Sequence, residues 1–383
     1  MEIVVSLIMV VATTVVIARA CDGFETAADY LGRHLSEGVK GASINAVGSS
    51  MPELFTTFVF LFLFADTSGF AGGIGTTAGS AIFNTLIIPA ASILVALKLF
   101  KLTAIPVSKK VILRDGLMLI GAEFILIVTI GTNLHWWHGL LLILIYVGYA
   151  GILFLSMRKN PEASSTDDPE TPDDETIAHS VSSRWIALFT LDLEHAIIGK
   201  RSLTTGNAWL LLSIATVFIA IACYFLVLGC EILGHALGIH GYFVAVIIAA
   251  AASSIPDTIL SIKDAKKGNY DDAVSNALGS NIFDICVALG LPLLIYTLVY
   301  GSISMPVETV DNVSELRVLL LFITIAAFFI FYLGQGASKI KAYGLFGLYT
   351  VFTAFIIARA YDASWIEPIA KGLHFIQITL QNG

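Results

Sequence analysis

A chain of 383 residues that is 57% hydrophobic and 13% charged, with a mean hydropathy of +0.85, carries more apolar surface than one water-soluble core can hide; it belongs in a lipid bilayer. The formal net charge of -8 does not describe an acidic surface, because many of the acids sit in one segment, Asp167 to Glu175, and it indicates no nucleic-acid partner. Cys21, Cys223, Cys230 and Cys286 fall in or beside apolar segments without CxxC or His/Cys clustering, which excludes a disulfide framework or zinc site and leaves them as packing residues.

In chain order, ten apolar spans of about 20 or more residues, the length a helix needs to cross the hydrocarbon, are expected at 2-30, 41-65, 71-99, 112-131, 136-157, 207-235, 241-263, 271-300, 315-335 and 341-360. The first lacks a basic leader and a clear small-residue cleavage site, so it reads as a span rather than a cleaved signal. One connection is long, Arg158 to Gly206; its acidic, Pro- and Ser-rich first part reads as a disordered linker, with an amphipathic stretch near Trp185 to Ile198. The expected organisation is a first five-helix repeat (1-157), an acidic linker (158-206), a second five-helix repeat (207-360) and a C-terminal tail (361-383).

Lys and Arg cluster after the odd spans: Arg33 and Lys40; Lys98, Lys101, Lys109 and Lys110; Arg158, Lys159, Arg184, Lys200 and Arg201; Lys266 and Lys267; Lys339 and Lys341. After the even spans only Arg317 is found. The positive-inside rule then places both termini outside and the linker in the cytoplasm, with His135, Trp136, Trp137 and His138 at the outer interface, of a plasma (inner) membrane protein. Five spans being an odd number, the second repeat enters the membrane inverted relative to the first.

Two motifs occur once in each half. GSSMPELFTTF (Gly48 to Phe58) and ASSIPDTILSI (Ala252 to Ile262) share Ser-Ser-apolar-Pro-acid, and GSAIFN (Gly79 to Asn84) recurs as GSNIFD (Gly279 to Asp284). Glu53 and Asp257 lie 204 positions apart, Ser80 and Ser280 200, and Asn84 and Asp284 200. Pro52 and Pro256 remove a helical hydrogen bond, so each helix should break at membrane depth, freeing the carbonyls of Gly48 and Ala252 as hard oxygen ligands. Ser49, Ser50 and Glu53 in one half and Ser253, Ser254 and Asp257 in the other add side-chain oxygens. Thr76, Ser80 and Asn84, like Asn276, Ser280 and Asp284, recur at i, i+4 and i+8 and share one helix face.

No thiolate or imidazole joins these sets, which suits a hard cation such as Ca²⁺, Na⁺ or K⁺ rather than zinc or copper. Each ionised carboxylate near the bilayer centre costs about 2.5 kcal/mol or more. No Lys or Arg lies within the four motifs, so either bound cations neutralise Glu53, Asp257 and Asp284 or some of the three are protonated when empty. The bland alternative is a set of ordinary kink prolines beside snorkelling or helix-capping acids.

The paired motifs resemble the alpha-repeats of the cation/Ca²⁺ exchanger superfamily, specifically over about residues 45-90 and 250-292. PELFT and GIGTTAGSAIFN in the first half and SSIPD and GSNIFD in the second, with Ala81 and Asp257, are similar to the K⁺-dependent Na⁺/Ca²⁺ exchanger branch. The resemblance implies an all-α membrane protein of ten transmembrane helices, two inverted five-helix repeats with broken helices at the midplane, performing Ca²⁺/Na⁺ antiport by alternating access. It implies Glu53 and Asp257 as central Ca²⁺ ligands and Asp284 as an ion-binding acid linked to K⁺ dependence. Ser49, Ser50, Ser80, Asn84, Ser253, Ser254, Ser280 and Asn281 would line the Na⁺ and Ca²⁺ sites, with the carbonyls of Ala46 and Ala250 as additional Na⁺ ligands. No prosthetic cofactor, enzymatic activity or particular protein partner is implied; the partners are inorganic cations and the bilayer.

The chain departs from that pattern at Met51, Ser253 and above all Ala252, where Gly normally relaxes the break. The linker's acids lack the glycine and spacing of an EF-hand. An H⁺-coupled cation exchanger would use the same acids protonated in turn. An intramembrane aspartyl protease would need a GxGD element that the sequence lacks, and a channel would favour parallel repeats or several subunits over inverted halves.

Overall fold

The computed structural model describes residues 1–33, 46–64, 69–129, 131–158, 190–199, 201–334 and 336–382. Among these the chain is almost entirely helical: α1 (Glu2–Leu31), α2 (Ala46–Ser49), α3 (Met51–Phe62), α4 (Gly69–Leu99), α5 (Lys109–Thr129), α6 (Trp136–Arg158), α7 (Leu193–Ile197), α8 (Thr205–Leu237), α9 (Gly241–Ser253), α10 (Ile255–Lys267), α11 (Tyr270–Tyr300), α12 (Val307–Tyr332), α13 (Lys339–Ala360) and α14 (Glu367–Asn382). Seven of them, α1, α4, α6, α8, α11, α12 and α13, are long and apolar enough to cross a membrane, and α9 with α10, bent by 41°, makes an eighth span.

The remaining two expected spans differ for identifiable reasons. Near the second, the proline break leaves α3 only 12 residues long, and the start of that span, 41–45, lies outside the described residues. The fourth, α5, carries Lys109, Lys110, Arg114, Asp115 and Glu123. Asp115 and Glu123 nevertheless point into the protein, 0% and 1% exposed. Arg114 binds Asp115 through Nε at 2.6 Å and Nη2 at 2.9 Å, Ser275 donates to the same carboxylate at 2.7 Å, and Thr324 donates to Glu123 at 2.7 Å. Buried polar groups are tolerable at such depth when partners are built in, and average hydropathy does not register those partners.

One boundary moves for the same reason. α12 starts at Val307, eight residues before the expected 315, because its polar first turns are held by pairing: Arg359 donates to Asn312 Oδ1 at 3.1 Å, and one turn on it clamps Glu315 through Nε at 2.7 Å and Nη2 at 3.0 Å. Arg317, counted above among the loop cations, is inside α12 and fully buried, its guanidinium reaching the carbonyls of Val313 at 3.3 Å and Leu126 at 3.1 Å. The expected tail at 361-383 is not featureless either. Within it α14 lays Ala370, Leu373 and Gln377 against the rest of the protein, and His374 approaches Asp311 at 3.6 Å.

Most of the linker, 159–189 with Lys200, lies outside the described residues, so the expected disorder, its acids and most of the amphipathic stretch do too. What is described of it is α7, capped by Asp192, which accepts from the His195 amide at 3.0 Å, and anchored by buried Leu193 and Ile198. Those side chains join α1 and α8, which pack along each other through Ile17, Cys21, Ile219, Cys223 and Leu226, all buried. A second, larger core runs continuously through α4, α5, α6, α11, α12 and α13. All four cysteines are free and buried, consistent with packing roles.

Short strands tie the two halves of the chain. β1 (Ala104–Ile105) pairs antiparallel with β4 (Ala337–Ser338), and β2 (Asn133–Leu134) with β3 (Ile303–Ser304). Ala104 and Ser304 are 200 positions apart and Asn133 and Ala337 are 204 apart, so the spacing of the motif duplication carries one ladder onto the other.

The two halves approach closely where α4 crosses α9. A Cβ on Gly79 would collide with the Val246 carbonyl oxygen and come within 2.8 Å of the Ala250 Cβ. Because one partner is backbone, the clash cannot be relieved by a rotamer change. Gly79→Ala is therefore expected to destabilise the fold by about 1–3 kcal/mol, read as a lowered thermal unfolding midpoint of the detergent-purified protein; an unchanged midpoint would contradict this packing.

Candidate cation site

Both motif helices break at a serine in the same backbone conformation. Ser50 (φ -94°, ψ 7°) separates α2 from α3, and Ser254 (φ -82°, ψ 4°) separates α9 from α10. Each lies in the sparsely populated bridge region, where one residue can turn a chain without unravelling it. Pro52 and Pro256 then sit in the first turn of the new helix, where their missing amides cost no hydrogen bond. Glu53 and Asp257 follow immediately and are 0% exposed.

The second half adds two π-helical turns, Ala245–Ala249 within α9 and Asp284–Ala288 within α11. Asp284 opens the latter, and the amide of Leu289 reaches back to its carbonyl at 3.1 Å. Such widened turns re-aim side chains and frequently mark functional positions.

Ser80 on α4 is the hub of the polar interior. Its hydroxyl lies 3.0 Å from Glu53 Oε1, 2.7 Å from Ser254 Oγ and 3.3 Å from Asp284 Oδ2, joining residues of three helices. One turn on, Asn84 Nδ2 donates to Asp257 Oδ2 at 3.2 Å, with Ser80 Oγ and Ser280 Oγ each at 3.4 Å. Ser254 Oγ also reaches Glu53 Oε1 at 3.4 Å. Ser49 lies beside Asp257 and Ser253 beside Glu53, so each half's serine serves the other half's acid. Ser50 lies beside Asp284.

The three carboxylates gather around hydroxyls rather than around one another: among the described residues no three carboxylate, imidazole or thiol groups converge on one point. None of the ion pairs among the described residues involves Glu53, Asp257 or Asp284. Each keeps a buried oxygen with no hydrogen-bond partner, Glu53 Oε2, Asp257 Oδ1 and Asp284 Oδ1, and so do the amides of Asn84 and Asn281 through their Oδ1 atoms. Five unpartnered buried acceptors on the motif helices each need an explanation, and oxygen acceptors without donors suit a hard cation.

Most of the expected residues are thus brought together, with instructive exceptions. Thr76 turns back to the Gly72 carbonyl at 3.0 Å and Asn276 donates to Ser261 at 3.0 Å, so the outer member of each expected trio is engaged elsewhere. The Ala250 carbonyl already accepts from Ser253 Oγ at 3.1 Å and the Ser254 amide at 3.2 Å, filling both lone pairs, and would serve as a ligand only by giving one up. Ala46 opens α2. Asn281 spends its amide hydrogens on the Ala81 carbonyl at 3.0 Å and on Thr85 Oγ1 at 2.8 Å. Thr85 escaped the sequence reading. The signal was available: it lies one turn beyond Ala81, which the 200-residue spacing pairs with Asn281.

An all-helical, multi-pass membrane protein whose buried polar groups concentrate at two broken helices is the class this fold and interior define. The chain belongs to the sodium/calcium exchanger protein family, whose sequence model matches residues 5–155 and 207–358. It is 28% identical over 400 residues to the human sodium/potassium/calcium exchanger 5, covering 86% of this chain and 77% of that protein. Over 123 residues it is 41% identical to the human sodium/potassium/calcium exchanger 2, 31% of this chain and 18% of the relative. Its fold matches the crystal structure of the H⁺/Ca²⁺ exchanger CAX with a TM-score of 0.61 at 14% identity, covering 99% of this chain and 86% of that one. It also matches the sodium-calcium exchanger NCX_Mj with a TM-score of 0.55 at 21% identity, covering 92% and 98%.

The hub role of Ser80 has a measurable counterpart. Ser80→Ala strips a donor from buried carboxylates and should lower stability by about 1–3 kcal/mol. Ser92→Ala on the same helix, whose buried hydroxyl has no hydrogen-bond partner, should change it by less than about 0.5 kcal/mol. Thermal unfolding of the two variants side by side checks the contrast; equal effects would remove Ser80 from its central position.

Proposed function

We propose that this protein is a secondary antiporter that exchanges Ca²⁺ for Na⁺ across the plasma (inner) membrane by alternating access, with K⁺ as a further transported ion. The observation that carries the reading is the set of unpartnered buried oxygens of Glu53, Asp257 and Asp284, without a protein cation to neutralise them. Glu53 and Asp257 are the central Ca²⁺ ligands. Ser49, Ser50, Ser80, Asn84, Ser253, Ser254, Ser280 and Asn281 complete the Ca²⁺ and Na⁺ sites, and Asp284 is the acid on which K⁺ dependence rests. No covalent chemistry is involved, and the protein is not an enzyme.

The architecture we assign is ten spans in two inverted five-helix repeats, 1-157 and 207-360, with both termini outside and the 158-206 linker cytoplasmic. Three observations support it. The same bridge-region serine breaks both motif helices. Cross-half hydrogen bonds join residues separated by the repeat length, Asn281 with Ala81 at 200 positions and Thr324 with Glu123 at 201, as expected where duplicated helices cross on a two-fold axis. The two strand ladders exchange under the same shift. Transferring Arg317 from the loops to the buried interior of α12 also sharpens the charge asymmetry behind the orientation.

The core that α1 and α8 share, which takes in Val59 and Phe60 of α3 and Val244, Ala245, Ala249 and Ala252 of α9 but is distinct from the larger core, suggests how the site opens. Helices α1 and α8 slide or tilt against the motif helices, while Na⁺ and Ca²⁺ compete for overlapping oxygens, so that one set of ions expels the other.

The test is ⁴⁵Ca²⁺ flux in proteoliposomes with Na⁺, K⁺ and pH gradients varied independently. Flux should follow the Na⁺ gradient and be abolished in Glu53→Gln and Asp257→Asn, while Asp284→Asn should relax or abolish K⁺ dependence. Uptake that follows a pH gradient with Na⁺ absent would replace Na⁺ coupling with H⁺ coupling, the chemistry named for CAX. Retained Na⁺-driven flux in either of the first two variants would sink the site assignment.

A further inference from the structure

The pairing of Thr85 with Asn281 makes a one-sided device out of a duplicated site. Asn281 and Ala81 occupy equivalent positions 200 residues apart, and only the second half carries the amide. That amide crosses to the first half's α4 and donates twice, to the Ala81 carbonyl at 3.0 Å and to Thr85 Oγ1 at 2.8 Å. Asn281 is 0% exposed and Thr85 1%, so neither bond competes with water. An asparagine side chain is a flat group whose oxygen and nitrogen point in opposite senses, and its orientation follows from where the hydrogens go. With both hydrogens committed to α4, Asn281 Oδ1 is left buried with no hydrogen-bond partner. Flipping the amide would set Oδ1 against the Ala81 carbonyl, two acceptors in a dry interior.

We propose that Thr85 is a positioning residue for cation binding: its hydroxyl locks the Asn281 amide so that the carbonyl oxygen is presented to the ion held by Glu53, Asp257 and Ser80. This rests on the exchanger reading above and adds to it a residue outside the motif positions from which that reading was built. The equivalent of Thr85 in the second half is Ile285, which has no hydroxyl, so the lock exists once. Its consequence is asymmetric coordination, with one amide oxygen supplied from the second half and held in place by the first.

The experiment is a double-mutant cycle on the full-length chain, using equilibrium ⁴⁵Ca²⁺ binding in detergent together with ⁴⁵Ca²⁺ uptake in proteoliposomes. Thr85→Val, which keeps shape and loses the hydroxyl, should weaken Ca²⁺ binding roughly three- to ten-fold, with a raised half-saturating Ca²⁺ concentration and little change in maximal rate. Thr85→Ser should restore wild-type affinity, a rescue that a purely packing role would not give. Asn281→Ala should weaken binding at least as much as Thr85→Val, and the double variant should be no weaker than Asn281→Ala alone.

Wild-type affinity in Thr85→Val, or effects of the two substitutions that multiply, would overturn this assignment while leaving the exchanger reading intact. A wild-type chain that neither binds nor moves Ca²⁺ would overturn both. Size-exclusion profiles of each variant separate lost binding from lost folding, and a misfolded Thr85→Val beside a folded Thr85→Ser with weakened binding would also count against the lock.

Discussion

Everything in this protein's interior is arranged around an electrostatic debt that the chain itself leaves open. Glu53, Asp257 and Asp284 are fully buried, and no ion pair among the described residues reaches them. A soluble fold would hydrate such groups, and a purely structural membrane fold would pair each with a lysine or arginine. This chain shows that it can do the latter, since Asp115 is clamped by Arg114 and Glu315 by Arg359 on helices bordering the same core. Glu123 on α5 is also buried without an ion pair, held by Thr324 alone, but only the motif helices gather three such acids around shared hydroxyls and amides among the described residues. Those groups solvate a carboxylate without neutralising it.

The backbone features serve the same end. Two breaks at Ser50 and Ser254 place Glu53 and Asp257 in the first turns of new helices, and Gly79 lets α4 approach α9 until its neighbours meet backbone. That closeness allows one hydroxyl, on Ser80, to touch Glu53 of α3, Ser254 at the break between α9 and α10, and Asp284 of α11 at once. A bulkier helix at this crossing would separate the two halves by the width of a side chain, and the network would dissolve into isolated acids. Packing and chemistry are thus one constraint here, imposed by small residues flanking the polar ones.

Much of this could be read from the sequence. The membrane class, most of the spans, the two breaks and nearly all of the polar residues followed from composition, proline chemistry and the duplication. What escaped has a common cause: hydropathy averages over faces and is blind to partners. It shortened α12 because Asp311 and Asn312 look like loop residues until His374 and Arg359 are seen beside them. It left α14 out because an amphipathic helix packed on others need not be strongly apolar. Helical spacing likewise put Thr76 and Asn276 on the same faces as Ser80 and Ser280, but it could not reveal that each finds a nearer partner first. Thr85 was missed from the opposite direction, lying just past the end of the repeated hexapeptide.

The imperfections of the duplication matter more than its fidelity. A perfectly two-fold interior would offer two equivalent half-sites, and an ion on the axis would see the same ligands from above and below. Here Asn84 stands at Asp284's counterpart position with an amide instead of an acid, Ala81 is the counterpart of Asn281, and among the described residues π turns are found in the second half alone. Each difference removes a degenerate arrangement: the amide of Asn84 can donate to Asp257, which a carboxylate could not do, and the missing side chain at Ala81 opens the carbonyl that Asn281 grips. An interior that bound ions of different charge in turn, as the proposed antiport requires, would gain from such inequality. Sites of unequal charge and rigidity can favour different ions, whereas equivalent ones would bind the same ion twice.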